Sequence, residues 1–248
     1  MKKTTALLAG FLCLAIVLQA QKKQPKFLAE LTAGPSIPIG KFASTSNANN
    51  KASGYAKPGW GGQLSLGYYL NRSFGLLLST GYTTHQQDQQ ARKDVLKSRG
   101  NTVVRIDSEN WKALNVMAGG FFITPLTSGS KLRLFTKLTA GVCETGIPRE
   151  QWFGYSNTGR PAYYYDEKIT MCWAFCYQGS VGLQYKLNQK WYVLLDASYF
   201  NAIPKQEVTY YVSSRPVAQV GPTGRYVTEV NKYELSTINA LVGIGINL

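Results

Sequence analysis

From residue 238 to residue 248 the chain alternates without a break. Ile238, Ala240, Val242, Ile244, Ile246 and Leu248 fall on one face, and Asn239, Leu241, Gly243, Gly245 and Asn247 on the other. A strict period of two belongs to a β-strand lying between two different environments. One face suits hydrocarbon and the other is small or polar. The sequence stops on this strand, which implies a sheet whose last strand closes back onto its first. A strand spanning a bilayer needs such closure, because an open sheet edge leaves backbone groups unpaired in lipid.

Seven earlier segments share the pattern. Ala29, Leu31, Ala33, Pro35, Ile37 and Ile39 form the first apolar face, and further ones run through Trp60–Leu70, Phe74–Tyr82, Leu114–Phe122, Leu132–Val142, Trp173–Leu183 and Trp191–Tyr199. None of the eight outward faces, so bounded, carries a charge; every charge within these segments sits on the opposite face. A soluble sandwich or lipocalin would put its charges outside and its apolar residues inside. A Lys or Arg on a lipid-facing position near the midplane costs about 2–4 kcal/mol, so a charge-free exterior is expected of a membrane barrel. The expected fold is therefore all-β: an eight-stranded antiparallel up-and-down transmembrane barrel.

The connections alternate in length. Those at 71–73, 127–131 and 188–190 are tight and rich in Asn, Ser and Gly, as turns require. Those at 41–59, 83–110, 144–170 and 201–232 are long. Short turns on one side and long loops on the other are the barrel arrangement, with both termini periplasmic and the long loops extracellular. Aromatic residues mark both ends. Tyr68, Phe74, Tyr185 and Trp191 lie by the turns, and Trp60, Tyr82, Trp173 and Tyr199 by the loops, as two interfacial girdles would.

Residues 1–20 read as an export signal, with Lys2 and Lys3 ahead of an apolar run and a cleavage site after Leu18-Gln19-Ala20. Residues 21–26 then form a short periplasmic segment, and 27–248 the barrel. The full chain has 27 basic and 13 acidic residues, a net +14. Without Lys2 and Lys3 the balance is 25 basic to 13 acidic, a net +12. In an exported chain this favours lipid phosphate or another surface anion over nucleic acid. Cys143, Cys172 and Cys176 remain after the signal, an odd number, and Cys143 and Cys172 flank one long loop where a cross-strand disulfide could form. One histidine and no zinc-type cysteine pair speak against a His-based metal site, and neither metal nor cofactor is expected.

With these residues in place the chain resembles the small eight-stranded outer-membrane barrels of the OmpA/OmpX type, a porin-family outer-membrane domain. The pattern of strands carries the resemblance, together with the run Gly34-Pro35-Ser36-Ile37-Pro38-Ile39-Gly40-Lys41-Phe42 and the terminal strand. It implies residence in the outer membrane of a Gram-negative bacterium, contact with lipopolysaccharide, delivery by the barrel-insertion machinery and a monomeric state. Two departures stand out. Members usually end on an aromatic residue, whereas this sequence ends on Leu248, and no peptidoglycan-binding domain of the OmpA kind is expected.

Eight strands enclose a lumen that side chains can fill. The inward faces mix glycines with Tyr69, Phe121, Phe135, Tyr192 and Phe200, which predicts a plugged interior. Glu30, Arg133, Lys137 and Asp196 all point inward. Buried charges need partners, and strand depth suggests Glu30 with Arg133 and Lys137 with Asp196. A narrow ion or proton path is the alternative for these four. Some small barrels modify lipid A with His, Ser and acidic groups at the rim; here His85, Asp88 and Ser79 are the candidates, but 83–88 reads as a solvated loop and the chain as non-enzymatic. Strand-like stretches at 102–106, 163–165, 206–212 and 225–233 predict hairpins that continue beyond the outer girdle and present a surface for an extracellular ligand. The polar stretch at 86–100 reads either as mobile chain or as a short helix.

Overall fold

The computed structural model describes residues 26–45, 53–98, 101–127, 129, 131–146, 148, 150–156, 161–167, 171–213 and 225–248. The export signal expected at 1–20 and the segment after it, up to residue 25, lie outside the described residues.

Eight strands form a closed antiparallel barrel: β1 (Phe27–Ile39), β2 (Gly59–Tyr69), β3 (Phe74–His85), β5 (Trp111–Pro125), β6 (Leu132–Gly146), β9 (Met171–Lys186), β10 (Trp191–Ala202) and β13 (Leu235–Asn247). Around the wall the order is β1-β13-β10-β9-β6-β5-β3-β2. As the alternation of the last strand requires, β13 closes on β1, with Leu28 opposite Asn247 and Ile39 opposite Ser236. Phe27 and Leu248 add a reciprocal pair of backbone bonds of 3.3 and 2.8 Å that seal the ends. Closure leaves no strand edge in the barrel.

Two tight turns use the same device. Asn71 Oδ1 accepts the N–H groups of Ser73 and Phe74 at 2.9 and 2.8 Å, and Asn188 Oδ1 accepts those of Lys190 and Trp191 at 2.8 and 2.9 Å. A short amide side chain that folds back onto its own backbone fixes the hairpin without help from packing.

At the other end the chain builds a second sheet. β4 (Asn101–Ser108), β7 (Glu150–Ser156), β8 (Pro161–Glu167), β11 (Lys205–Ser213) and β12 (Arg225–Lys232) pair in the order β12-β11-β8-β7-β4. These strands are drawn from three of the long connections, and β8 pairs with β11 across two of them. A short helix, α1 (Gly40–Ala43), follows β1, and a longer one, α2 (Gln89–Ser98), follows β3. Of the two readings of 86–100, the helix is the one formed. Its start is set by Asp88, whose carboxylate accepts the Ala91 N–H at 3.1 Å as an N-cap.

Burial along the barrel is inside out. Leu31, Leu138 and Val242 are 57%, 70% and 63% exposed on the outer face, whereas Glu30, Lys137 and Asp196 are 2%, 8% and 1% exposed within. An apolar belt of this extent is unstable against water and stable against hydrocarbon. The strands run beyond the alternating segments at the loop end, and there charges first reach the outside. Lys112 is exposed on β5, and Glu144 on β6 pairs in register with Trp173.

Candidate functional site

The lumen is a stack of side-chain layers. Nearest the turns, Leu28, Leu77, Phe121, Ile123, Phe135, Tyr192 and Leu194 form one buried cluster, with Tyr69 packed edge-on against Phe121 at 5.1 Å. All five bulky fillers expected from the sequence point inward, and Gly182, facing Phe135 across the ladder, gives that ring its space.

Above this layer sits the ionic group. Lys137 Nζ donates to Glu30 Oε2 at 2.6 Å and to Asp196 Oδ2 at 3.4 Å. The second Glu30 oxygen accepts from Gln184 Nε2 at 3.1 Å and from the Tyr192 hydroxyl at 3.0 Å. The ammonium also lies 4.6 Å from the Phe135 ring centre. The Lys137–Asp196 pair is as expected; the Glu30–Arg133 pair is not formed. Arg133 is half-buried near the turns, opposite Pro125 and Gln184.

Strand stagger explains the difference. Tracing facing residues in register from Glu30 through Ser65, Ser79 and Met117 reaches β6 at Gly141. Tracing the other way, through Gly245, Tyr192 and Lys186, reaches it at Lys131. The wall is sheared, so the point level with Glu30 lies between those two residues, where Lys137 stands.

Higher still, Gln178 Nε2 donates to Gln63 Oε1 at 3.2 Å and to Ser180 Oγ at 3.4 Å. A void of about 20 Å³ touches Gln63, Asn115, Gln178 and Asn239, enough for a single water.

The loop end of the lumen is covered by aromatic rings. Gly40 takes a φ of +59°, the left-handed region that glycine enters freely, and turns the chain into α1. Phe42 is thereby brought over the barrel mouth, edge-on to His85 at 5.2 Å and to Trp111 at 5.4 Å. Trp111 meets Tyr233 at 5.5 Å, and its Nε1 donates to the Gly54 carbonyl at 2.8 Å. Backbone bonds from Gly54 to Lys41 and from Ala56 to Phe42, both 3.0 Å, hold residues 53–57 against α1.

His85 corrects the sequence reading. It is not in a solvated loop: it is the last residue of β3 and only 2% exposed. Its Nδ1 faces the Lys57 carbonyl at 3.1 Å, an acceptor, which places a proton on that nitrogen. Nε2 lies 3.2 Å from Ser36 Oγ, whose hydroxyl donates to Asn239 Oδ1 at 2.5 Å. Asn239 Nδ2 in turn donates to Ser198 Oγ at 3.2 Å. Neither other rim candidate joins His85. Ser79 is deeper, level with Ser65 and Met117, and Asp88 caps α2 and pairs with Lys57 at 3.4 Å. Ser36 was the missed partner; its signal was its place on the polar face of β1.

Among the described residues none of Cys143, Cys172 and Cys176 is joined in a disulfide. Cys143 lies opposite Ala174, and Cys172 opposite Thr145, so register sets the expected cross-strand pair on a diagonal. The eight girdle aromatics are all outward and exposed: Tyr68, Phe74, Tyr185 and Trp191 at the turn end, Trp60, Tyr82, Trp173 and Tyr199 at the loop end. The side chains of tyrosines 163–165, expected to serve a binding surface, lie outside the described residues, as do those of 206–212.

No family model and no curated protein matches the sequence. Solved structures do match it. The outer membrane protein OprG of Pseudomonas aeruginosa is 14% identical with a TM-score of 0.49, covering 90% of this chain and 96% of its own. A major outer membrane protein of Thermus thermophilus is 11% identical, TM-score 0.48, covering 90% and 98%. Neisserial surface protein A is 12% identical, TM-score 0.42, covering 90% and 97%. The likeness is one of fold alone.

Proposed function

We propose that the chain is a non-enzymatic integral outer-membrane protein of a Gram-negative bacterium, with a lumen plugged by its own side chains and a surface-binding or structural role carried by the loop end. On this reading the turns and both termini face the periplasm and the second sheet faces outward. Lipopolysaccharide surrounds the loop-end aromatics, insertion machinery delivers the barrel, and the protein works as a monomer without cofactor.

One observation carries the reading: the outer wall is apolar and exposed while Glu30, Lys137 and Asp196 are buried and joined at the centre. A water-filled pore would leave these groups solvated, and a soluble protein would reverse the two faces. Surface proteolysis tests the orientation. On intact cells trypsin should cut within the long connections and leave the barrel strands whole; cleavage only after the outer membrane is permeabilised would reverse the topology.

A second reading has Ser36 and His85 in its favour, since a hydroxyl 3.2 Å from an imidazole nitrogen is the contact of a nucleophile with its base. Ser36 is fully buried, and its proton is directed to Asn239. These features suit a structural latch. A serine-reactive fluorophosphonate should leave the folded protein unlabelled; labelling that disappears in Ser36→Ala would establish the enzymatic reading instead.

A further inference from the structure

Beside the barrel mouth, α2 stands over a short two-stranded ribbon. Lys57 N–H donates to the Gln86 carbonyl at 2.8 Å, Asp88 N–H to the Tyr55 carbonyl at 2.6 Å, and Ala56 bridges Gln87. Between ribbon, helix and the β4–β5 turn lies a cleft of about 500 Å³. That volume falls within the roughly 300–1,000 Å³ typical of small-molecule sites.

The cleft is held in shape from three sides. The Asp88 carboxylate is kept below its ordinary range, first by the Ala91 N–H, against a smaller opposing effect of burial, and then by Lys57. Arg92 lies over the Tyr55 ring at 5.3 Å. Gln89 Nε2 donates to Ser108 Oγ at 3.2 Å, tying the helix to the facing wall. Leu96, 5% exposed, anchors the helix from below.

The lining has one chemical character. Glutamines from 86–90, Ser108 and Asn110 supply amides and a hydroxyl, Lys57 and Lys93 supply ammonium groups, and neither an aromatic ring nor a carboxylate lines the space. An apolar ligand would bury little apolar surface against such walls. Sugar hydroxyls both donate and accept, as primary amides do, and Lys93, beside a Lys57 already paired with Asp88, favours a negative substituent.

We propose that this cleft binds an acidic saccharide, a sugar bearing phosphate or carboxylate, resting on the reading above that the loop end faces outward. Two sources share this chemistry: the phosphorylated sugars of lipopolysaccharide in the same leaflet, and free acidic glycan outside the cell.

Calorimetry on the full-length protein folded in detergent tests it, with three probes: deacylated phosphorylated lipopolysaccharide oligosaccharide, oligogalacturonate and neutral maltohexaose. At least one acidic probe should bind, more weakly as salt rises. Binding of the phosphorylated probe alone assigns the membrane source, and binding of oligogalacturonate admits free glycan; either supports the site. Lys57→Gln with Lys93→Gln should weaken the bound probe roughly tenfold, equivalent to about 1.4 kcal/mol. Lys93→Gln alone, which leaves the Lys57–Asp88 pair intact, should weaken it about threefold, on the scale of an exposed charged contact. Absence of acidic binding, equal binding of maltohexaose, or unchanged affinity in the double variant overturns the proposal. A gel-mobility shift between unheated and boiled protein reports the barrel separately, so a folded protein that fails to bind loses the cleft and not the fold.

Discussion

Glu30 and Lys137 meet at 2.6 Å from opposite walls of the barrel, on strands four places apart in either direction around it. The contact crosses the lumen between walls whose separation is set by strand number and shear. Asp196 joins it at 3.4 Å, so one ammonium serves two carboxylates.

Lys137→Met should therefore be costly. It leaves two carboxylates buried without their cation, and breaking a buried pair costs about 3–5 kcal/mol. Urea unfolding in detergent should show a loss of that order. Replacing all three charges together, with Glu30→Gln, Lys137→Met and Asp196→Asn, should recover most of it, because no buried charge then remains.

Gly182 faces Phe135 across the β6–β9 ladder, and a Cβ there would overlap both the ring and the Leu195 carbonyl. Gly182→Ala should destabilise the barrel by about 1–3 kcal/mol, the usual cost of overpacking. Adding Phe135→Leu should return part of the loss, readable as a shift in the temperature at which the unheated gel form disappears.

The aromatic cover over the mouth is a separate layer. Trp111→Ala removes the bond to Gly54 and the contacts with Phe42 and Tyr233, a change worth about 3–5 kcal/mol for a buried aromatic. Hydrogen exchange at 53–57 should accelerate, while amides beside the Glu30–Lys137 contact keep their protection. Loss of protection in both places would show that the two layers unfold as one.

How far the sequence led can be seen at these same residues. Face assignments were readable because lipid and lumen impose opposite demands at every second position, and closure of β13 on β1 followed from the last of them. The partner of Glu30 was not readable. Depth along a strand is set by its own residues, but level across a barrel depends on shear, which accumulates around the whole wall. His85 was hidden for another reason. Its neighbours Gln86, Gln87 and Asp88 are polar because they form the ribbon below α2, and one buried position at the end of a strand carries no period to detect. The N-cap of that helix was present in the sequence as Asp88 ahead of good helix formers.

Asp88 gives a pH prediction. Its folded-state pKa is lowered from the ordinary 3.8, so its contribution is complete above that value and is lost as pH falls through the lower folded-state value. Docking of α2 should hold at neutral pH and weaken in acid, seen as faster protease cleavage within 89–98 by an acid-active protease. Asp88→Ala should produce the same weakening at neutral pH, by about 1 kcal/mol for a lost N-cap, and remove the acid dependence.

Planar-bilayer recording tests the filled lumen most directly. Purified protein, shown by its heat-dependent gel shift to be folded, should insert without adding steady current to the bare bilayer, because the ionic group crosses the lumen and the aromatic rings cover its loop end. Large, steady unit conductance from the same folded protein would contradict a plugged barrel.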